Sequence, residues 1–304
     1  MIKDFINLAD FKGEQLTELL DKSLSEKQLF QAGKLSATLT GKTLAMIFEK
    51  PSLRTRVSFE TAMTHLGGHG LYLTNADIGI GSREPIKDIA RVLGRMCDGI
   101  MARTFSHQMV EDLARHANVP VINALTDYSH PCQAMADIMT MREHFGDIAG
   151  RKIAFVGDGN NVARSLAIAC NRLAMKFSLA CPSGYELEPE LVSALGDTIV
   201  MTDKATLAVS DADVIYADTW VSMGQEQDKQ KRIKDFAGFQ VNAELLAAAP
   251  DHAIVLHCLP AYRGYEITDD VFEENRETIF TESENRLHFQ RTLLDVLIAQ
   301  GGIE

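Results

Sequence analysis

From residue 41 onward, short apolar runs alternate with longer segments whose apolar residues recur at three- and four-residue spacing. The runs KTLAMIF (42–48), GHGLYLT (68–74), DGIMART (98–104) and VPVINAL (119–125) read as four strands. Between them lie SLRTRVSFETAMTHLGG (52–68), PIKDIARVLGRM (85–96) and HQMVEDLARHAN (107–118), which read as amphipathic helices. A second series starts at RKIAFVGDG (151–159). It continues through a helix from Asn161 to about Met175, KFSLACP (176–182), a helix near 188–195, DTIVMT (197–202), DVIYADTW (213–220) and HAIVLHCL (252–259). Short apolar strands separated by helices predict parallel sheets with both faces covered.

Two further segments do not fit either series. In residues 129–150, Met135, Ile138, Met139 and Met141 suit a helix ending near Gly146, which reads as a bridge between domains. In residues 283–302, Leu287, Leu293, Leu294, Val296 and Leu297 predict a C-terminal helix that stops at Gly301. The expectation is an α/β protein of two Rossmann-like domains joined by interdomain helices. The first comprises 1–133 with the C-terminal helix 285–304, and the second comprises 134–284.

Charge and composition narrow the functional classes. The 304 residues carry 30 Lys+Arg against 42 Asp+Glu, a formal charge of −12, so no basic footprint for nucleic acid is present. The N-terminal IKDFINLADFKGEQLTELL has charges among its apolar residues and lacks a signal-peptide core, and no stretch reaches the roughly 18 apolar residues a membrane helix needs. Cys97, Cys132, Cys170, Cys181 and Cys258 form no CxxC pair, which argues against a disulfide framework and a zinc site. A reduced, cytoplasmic setting is expected, with no membrane partner.

The candidate chemistry collects at the strand ends. Ser52 follows a strand and precedes a helix, where unpaired N–H groups and the positive end of the helix dipole favour an anion. Arg54, Thr55 and Arg56 add guanidinium forks and a hydroxyl, a set suited to phosphate. The alternative is a capped surface helix with solvated arginines. Arg103 ends the third strand, and His130 and Gln133 follow the fourth; in an open parallel sheet these ends line the binding crevice. His130 with Gln133 can both donate to a carbonyl and accept from an amide.

The second half offers weaker signals. VGDGNN imitates a dinucleotide turn, but Gly157 and Gly159 are followed by Val162 where the third glycine would stand. Either a tight strand-to-helix turn or a substrate site at Asn161 fits. Cys258 sits at an apolar strand end where an inert cysteine is usual. Trp220 suits plain packing. The polar SMGQEQDKQKR (222–232) reads as a solvated loop, or as a flap that closes over a ligand after Asp218 and is mobile without it.

Taken together, FEKPSLRTRVSFE, HPCQ, VGDGNNVARS, DTWVSMGQE and HCLPAYRG resemble the ornithine branch of the aspartate/ornithine carbamoyltransferase family. The resemblance runs from the first strand to the C-terminal helix. It implies transfer of the carbamoyl group from carbamoyl phosphate to the side-chain amine of L-ornithine, giving L-citrulline, with the direction of arginine biosynthesis favoured. It also implies a homotrimer without metal or organic cofactor. Ser52, Leu53, Arg54 and Thr55 would embrace the phosphate, with Arg103, His130, Gln133 and Arg286 at the carbamoyl end. Asn161, Asp218, Ser222 and Met223 match positions around the amino-acid head group, and Cys258 and Leu259 match positions near the reacting amine. Catalytic roles would fall to Arg54, Arg103, His130, Asp218, Cys258 and Arg286. The segment 80–86 matches an edge shared between subunits. Leu53 stands where the family commonly has threonine, and Tyr262 where it often has histidine.

The residues also admit a transferase acting on another amine, a nicotinamide-dependent oxidoreductase, and a non-catalytic binding protein of the same fold.

Overall fold

The computed structural model describes residues 1–79, 83–222 and 224–304, and they form two units. The first comprises Met1–Met139 with Glu284–Glu304, the second Thr140–Ser283.

In the first unit, β1 (Thr43–Phe48), β2 (His69–Thr74), β3 (Gly99–Arg103) and β4 (Val121–Leu125) form a parallel sheet in the order β2-β1-β3-β4. The central β3 is buried throughout, whereas edge strand β2 is only partly covered. Its helices are α1 (Gly13–Gln31), α2 (Leu53–His65), α3 (Asn75–Ile78), α4 (Ile86–Met96) and α5 (His107–His116). Ile47, Ile100, Ala102, Val110, Leu113 and Val121 share one core on a face of the sheet.

The second unit repeats the scheme. β5 (Lys152–Val156), β6 (Lys176–Ala180), β7 (Ile199–Thr202), β8 (Val214–Ala217) and β9 (Ile254–His257) are parallel in the order β7-β6-β5-β8-β9. With them go α7 (Asn161–Arg172), α8 (Pro189–Leu195), α9 (Ala205–Val209), α10 (Lys229–Asp235), α11 (Ala243–Leu246) and α12 (Asp269–Glu274). The division between units falls inside two helices, α6 (Pro131–Phe145) and α13 (Arg276–Leu294), as expected of interdomain helices. All nine strands expected from the apolar runs are present.

Differences lie in the helices. α1 is not among the helices the sequence pattern predicts, yet it buries Leu16, Leu19, Leu20, Ser23 and Lys27 on one face. α7 ends at Arg172, short of Met175, because Ala174 takes a left-handed φ of 54°. The C-terminal helix begins earlier than expected, at Arg276, and passes into a π-helical turn over Asp295–Ala299 before Gly301 at φ 87°. The segment 222–232 is not a solvated loop throughout: a 3₁₀ turn at Glu226–Asp228 leads into α10, and Arg232 is buried.

Candidate active site

Both sheets reverse their strand order beside a central strand, at β1/β3 and at β5/β8. Ligands bind open α/β sheets at such switch points, outside the carboxyl ends of the strands. Each unit carries its polar cluster there.

In the first unit Ser52 is the N-cap of α2, its Oγ accepting from the Thr55 N–H at 3.3 Å. Thr55 is fully buried, and its Oγ1 accepts from Arg286 at 2.8 Å and from Arg103 at 3.4 Å. One hydroxyl therefore draws together guanidinium groups from β3 and α13. A register shift at Ala102/Arg103 interrupts the β3–β4 ladder, and such bulges re-aim a strand-end side chain.

His130 is 4% exposed and accepts through its carbonyl from the Gln133 and Ala134 N–H groups, opening α6. Burial, then Arg286, Arg103 and Arg54, hold its imidazole well below the usual histidine range. It therefore stays neutral at pH 7 and can offer one N–H. Gln133 donates through Nε2 to Asp137 at 2.8 Å. A carboxylate only accepts, so this contact sets the amide with its oxygen at the other end. The neighbouring Cys132 thiol is pushed up to about 12 by burial and is inert.

Arg56 makes separate contacts. Its Nε bonds Glu60 at 3.1 Å and its guanidinium lies 3.9 Å from the Tyr72 ring centroid. Leu53, the first residue of α2, is 74% exposed.

In the second unit the centre is Asp218, buried just past β8. Its Oδ1 accepts from the Thr219 N–H at 2.7 Å and from Cys258 Sγ at 2.9 Å; its Oδ2 accepts from Asn160 Nδ2 at 2.7 Å. Asn160 also caps α7, its Oδ1 accepting from the Val162 and Ala163 N–H groups. Asn161 is the first residue of that helix, with its carbonyl accepting from Ser165 Oγ at 2.8 Å. Ser222 donates its N–H to Gln225 Oε1 at 3.1 Å. Met223, and Ile80, Gly81 and Ser82 of the 80–86 segment, lie outside the described residues.

Leu259 adopts φ 56°, a rare conformation for a branched residue, and donates its N–H to His257 Nδ1 at 2.9 Å. Since a backbone N–H can only donate, His257 carries its proton on Nε2, which donates to Glu266 Oε1 at 3.2 Å. Tyr262, 49% exposed, donates its N–H to the same Glu266 oxygen at 2.5 Å.

The structure thus joins Ser52, Arg103 and Arg286 through Thr55, sets Arg54 electrostatically beside His130, and joins Asp218 to Cys258. Sequence reasoning missed Asn160, His257 and Glu266. An Asn directly before a helix is a capping signal that points to Asn160, while nothing local marks His257.

Comparison with known proteins decides the lineage. Residues 3–143 match the sequence model described as the carbamoyl-P binding domain of aspartate/ornithine carbamoyltransferase, and residues 149–297 match its Asp/Orn binding domain. The chain belongs to the aspartate/ornithine carbamoyltransferase family. Within it, the ornithine carbamoyltransferase of Methanosarcina acetivorans is 48% identical over 297 residues, covering 97% of this chain and 98% of that one. That of Thermococcus kodakarensis is 48% identical over 309 residues, covering 99% and 98%. The solved ornithine carbamoyltransferase from Pyrococcus furiosus superposes with a TM-score of 0.93 at 47% identity, covering 99% of this chain and 98% of that one. Among the described residues no helix is long and apolar enough to cross a membrane.

Proposed function

We propose that this carbamoyltransferase moves the carbamoyl group of carbamoyl phosphate to the side-chain amine of L-ornithine, giving L-citrulline and phosphate. Asp218 carries the choice of ornithine. Its carboxylate is held by three donors, and Oδ2, with one hydrogen bond, has capacity for one more from an ammonium. A carboxylate there favours a cationic acceptor side chain over the anionic one of aspartate.

In this reading the first unit holds carbamoyl phosphate. The N–H groups at the start of α2, with Ser52, Leu53, Arg54 and Thr55, receive the phosphate. Arg103, His130, Gln133 and Arg286 receive the carbamoyl end. The second unit holds ornithine, with Asn161, Ser222 and Met223 around its amino-acid portion and Cys258, Leu259 and Asp218, which Cys258 bonds at 2.9 Å, near the reacting amine.

An alkyl ammonium has a reference pKa of about 10.4, so the amine must lose a proton before attack. As its nitrogen adds to the carbonyl carbon, negative charge develops on the carbonyl oxygen. Arg54, the Thr55 hydroxyl, Arg103 and neutral His130 supply donors for it. The carbon–oxygen bond to phosphate then breaks, and phosphate can carry away the proton. Cys258 acts as a hydrogen-bond donor that fixes Asp218, not as a nucleophile.

By analogy with the family, the protein works as a cytoplasmic homotrimer in the biosynthetic direction. A citrulline assay with ornithine, putrescine, acylated ornithine and aspartate tests the substrate, and sedimentation tests the assembly. Ornithine should be preferred, and Arg54→Ala should abolish turnover. Citrulline formation unaffected by Arg54→Ala, or preference for another amine, would overturn the reading.

A further inference from the structure

Asp218 needs a fixed frame, and the frame extends beyond Asn160. Two residues before Asn160, Asp158 is nearly buried and forms an ion pair with Arg232 of α10. The same guanidinium donates through Nε to the Trp220 carbonyl at 2.5 Å, two residues beyond Asp218. It lies 4.9 Å from the Tyr185 ring centroid, and Tyr185 is tied by its hydroxyl to Asp235 of α10 at 2.8 Å. Trp220 packs against Phe236 with centroids 5.9 Å apart.

We propose that Arg232 is a positioning residue for the amino-acid half-site: its guanidinium clamps the Asp158–Asn160 turn to the Trp220 carbonyl and so sets the Asp218 carboxylate. This rests on the ornithine reading above.

The clamp also compensates Asp158, which lies close enough to Asp218 for the two acids to repel. Burial with that repulsion raises the Asp158 carboxyl above its ordinary value despite Arg232. Without the guanidinium, a buried carboxylate would face Asp218 uncompensated, a costly arrangement. Relief would come by protonation or by movement of the turn that carries Asn160. The other titratable groups that feel Asp158 are Tyr185 and Cys181.

The test is steady-state kinetics of the full-length protein. In Arg232→Gln, the KM for ornithine should rise tenfold or more while the KM for carbamoyl phosphate stays within twofold. That ornithine KM should worsen further as pH rises and Asp158 ionises, a dependence absent from the unsubstituted protein. Adding Asp158→Asn should remove this pH dependence and recover part of the affinity. A purely structural role would lower thermal stability and leave both KM values and the pH profile unchanged, and that result overturns the proposal. So does an equal rise in both KM values. If Arg232→Gln does not fold, Arg232→Lys decides by the two KM values alone, because lysine keeps the charge that compensates Asp158 but cannot span both acceptors with a planar fork. Absence of citrulline formation by the unsubstituted protein would instead defeat the ornithine reading itself.

Discussion

Thr55 concentrates the demands of the first half-site in one hydroxyl. It is fully buried and accepts from Arg286 and Arg103, so these guanidinium groups depend on it for alignment. Thr55→Val keeps the shape and deletes the acceptor. Hydrogen bonds to charged groups contribute about 1.5–3 kcal/mol, so kcat/KM for carbamoyl phosphate should fall roughly 10- to 150-fold. Thr55→Ser should restore most of it; a Val variant within twofold of the parent would show that Thr55 does not align the arginines. That Thr55, Arg54, Arg103 and His130 gather in one place was legible in sequence because they stand just past the ends of neighbouring strands. Asn160, Arg232 and His257 were not, since their roles arise from partners 58, 74 and 9 positions away that only the fold brings near.

At the scale of elements, the turn between β5 and α7 shows why a motif and its cause can diverge. Gly157 and Gly159 imitate a dinucleotide fingerprint, yet the constraint at Gly159 is the backbone of residues 185–187, a distant segment of the same chain. A Cβ there would stand 2.7 Å from the Tyr185 oxygen and from the Glu186 carbonyl carbon, both backbone atoms. The Gly159 N–H also donates to the Tyr185 oxygen at 2.8 Å, locking the two segments. Gly159→Ala should therefore cost about 1–3 kcal/mol by overpacking, read as a lower denaturant midpoint. It should also raise the KM for ornithine, because the displaced turn carries Asn160. Unchanged stability would mean that residues 185–187 yield freely. The strands were readable from apolar runs because each is buried on a parallel sheet. Helix α1 was obscured by its charged residues, although its buried positions recur at helical spacing. The segment 222–232 was obscured because the buried arm of Arg232 looks, in sequence, like part of a solvated charge run.

For the whole molecule, the two units differ in how the chain builds them. The second is continuous from Thr140 to Ser283, but the first is completed only by Glu284–Glu304. That returning segment supplies Arg286 to Thr55, and it buries Phe289, Leu293, Leu294 and Leu297 almost completely. It also bridges Ile2 and Ile303 by paired backbone hydrogen bonds of 2.7 and 2.9 Å. Burying four such side chains stabilises by roughly 6–12 kcal/mol, at about 1.5–3 kcal/mol each. This is comparable to the whole stability of a domain, about 5–15 kcal/mol. Deleting residues 284–304 should therefore unfold the first unit while the second, contiguous and with its own five-stranded sheet, stays folded. Hydrogen exchange resolved by segment reads this directly: protection should vanish from β1–β4 and persist in β5–β9. Loss of protection in both sheets together would mean that the second unit cannot stand without the first. Retained protection in β1–β4 would mean that the returning helix contributes binding residues to a unit already stable without it.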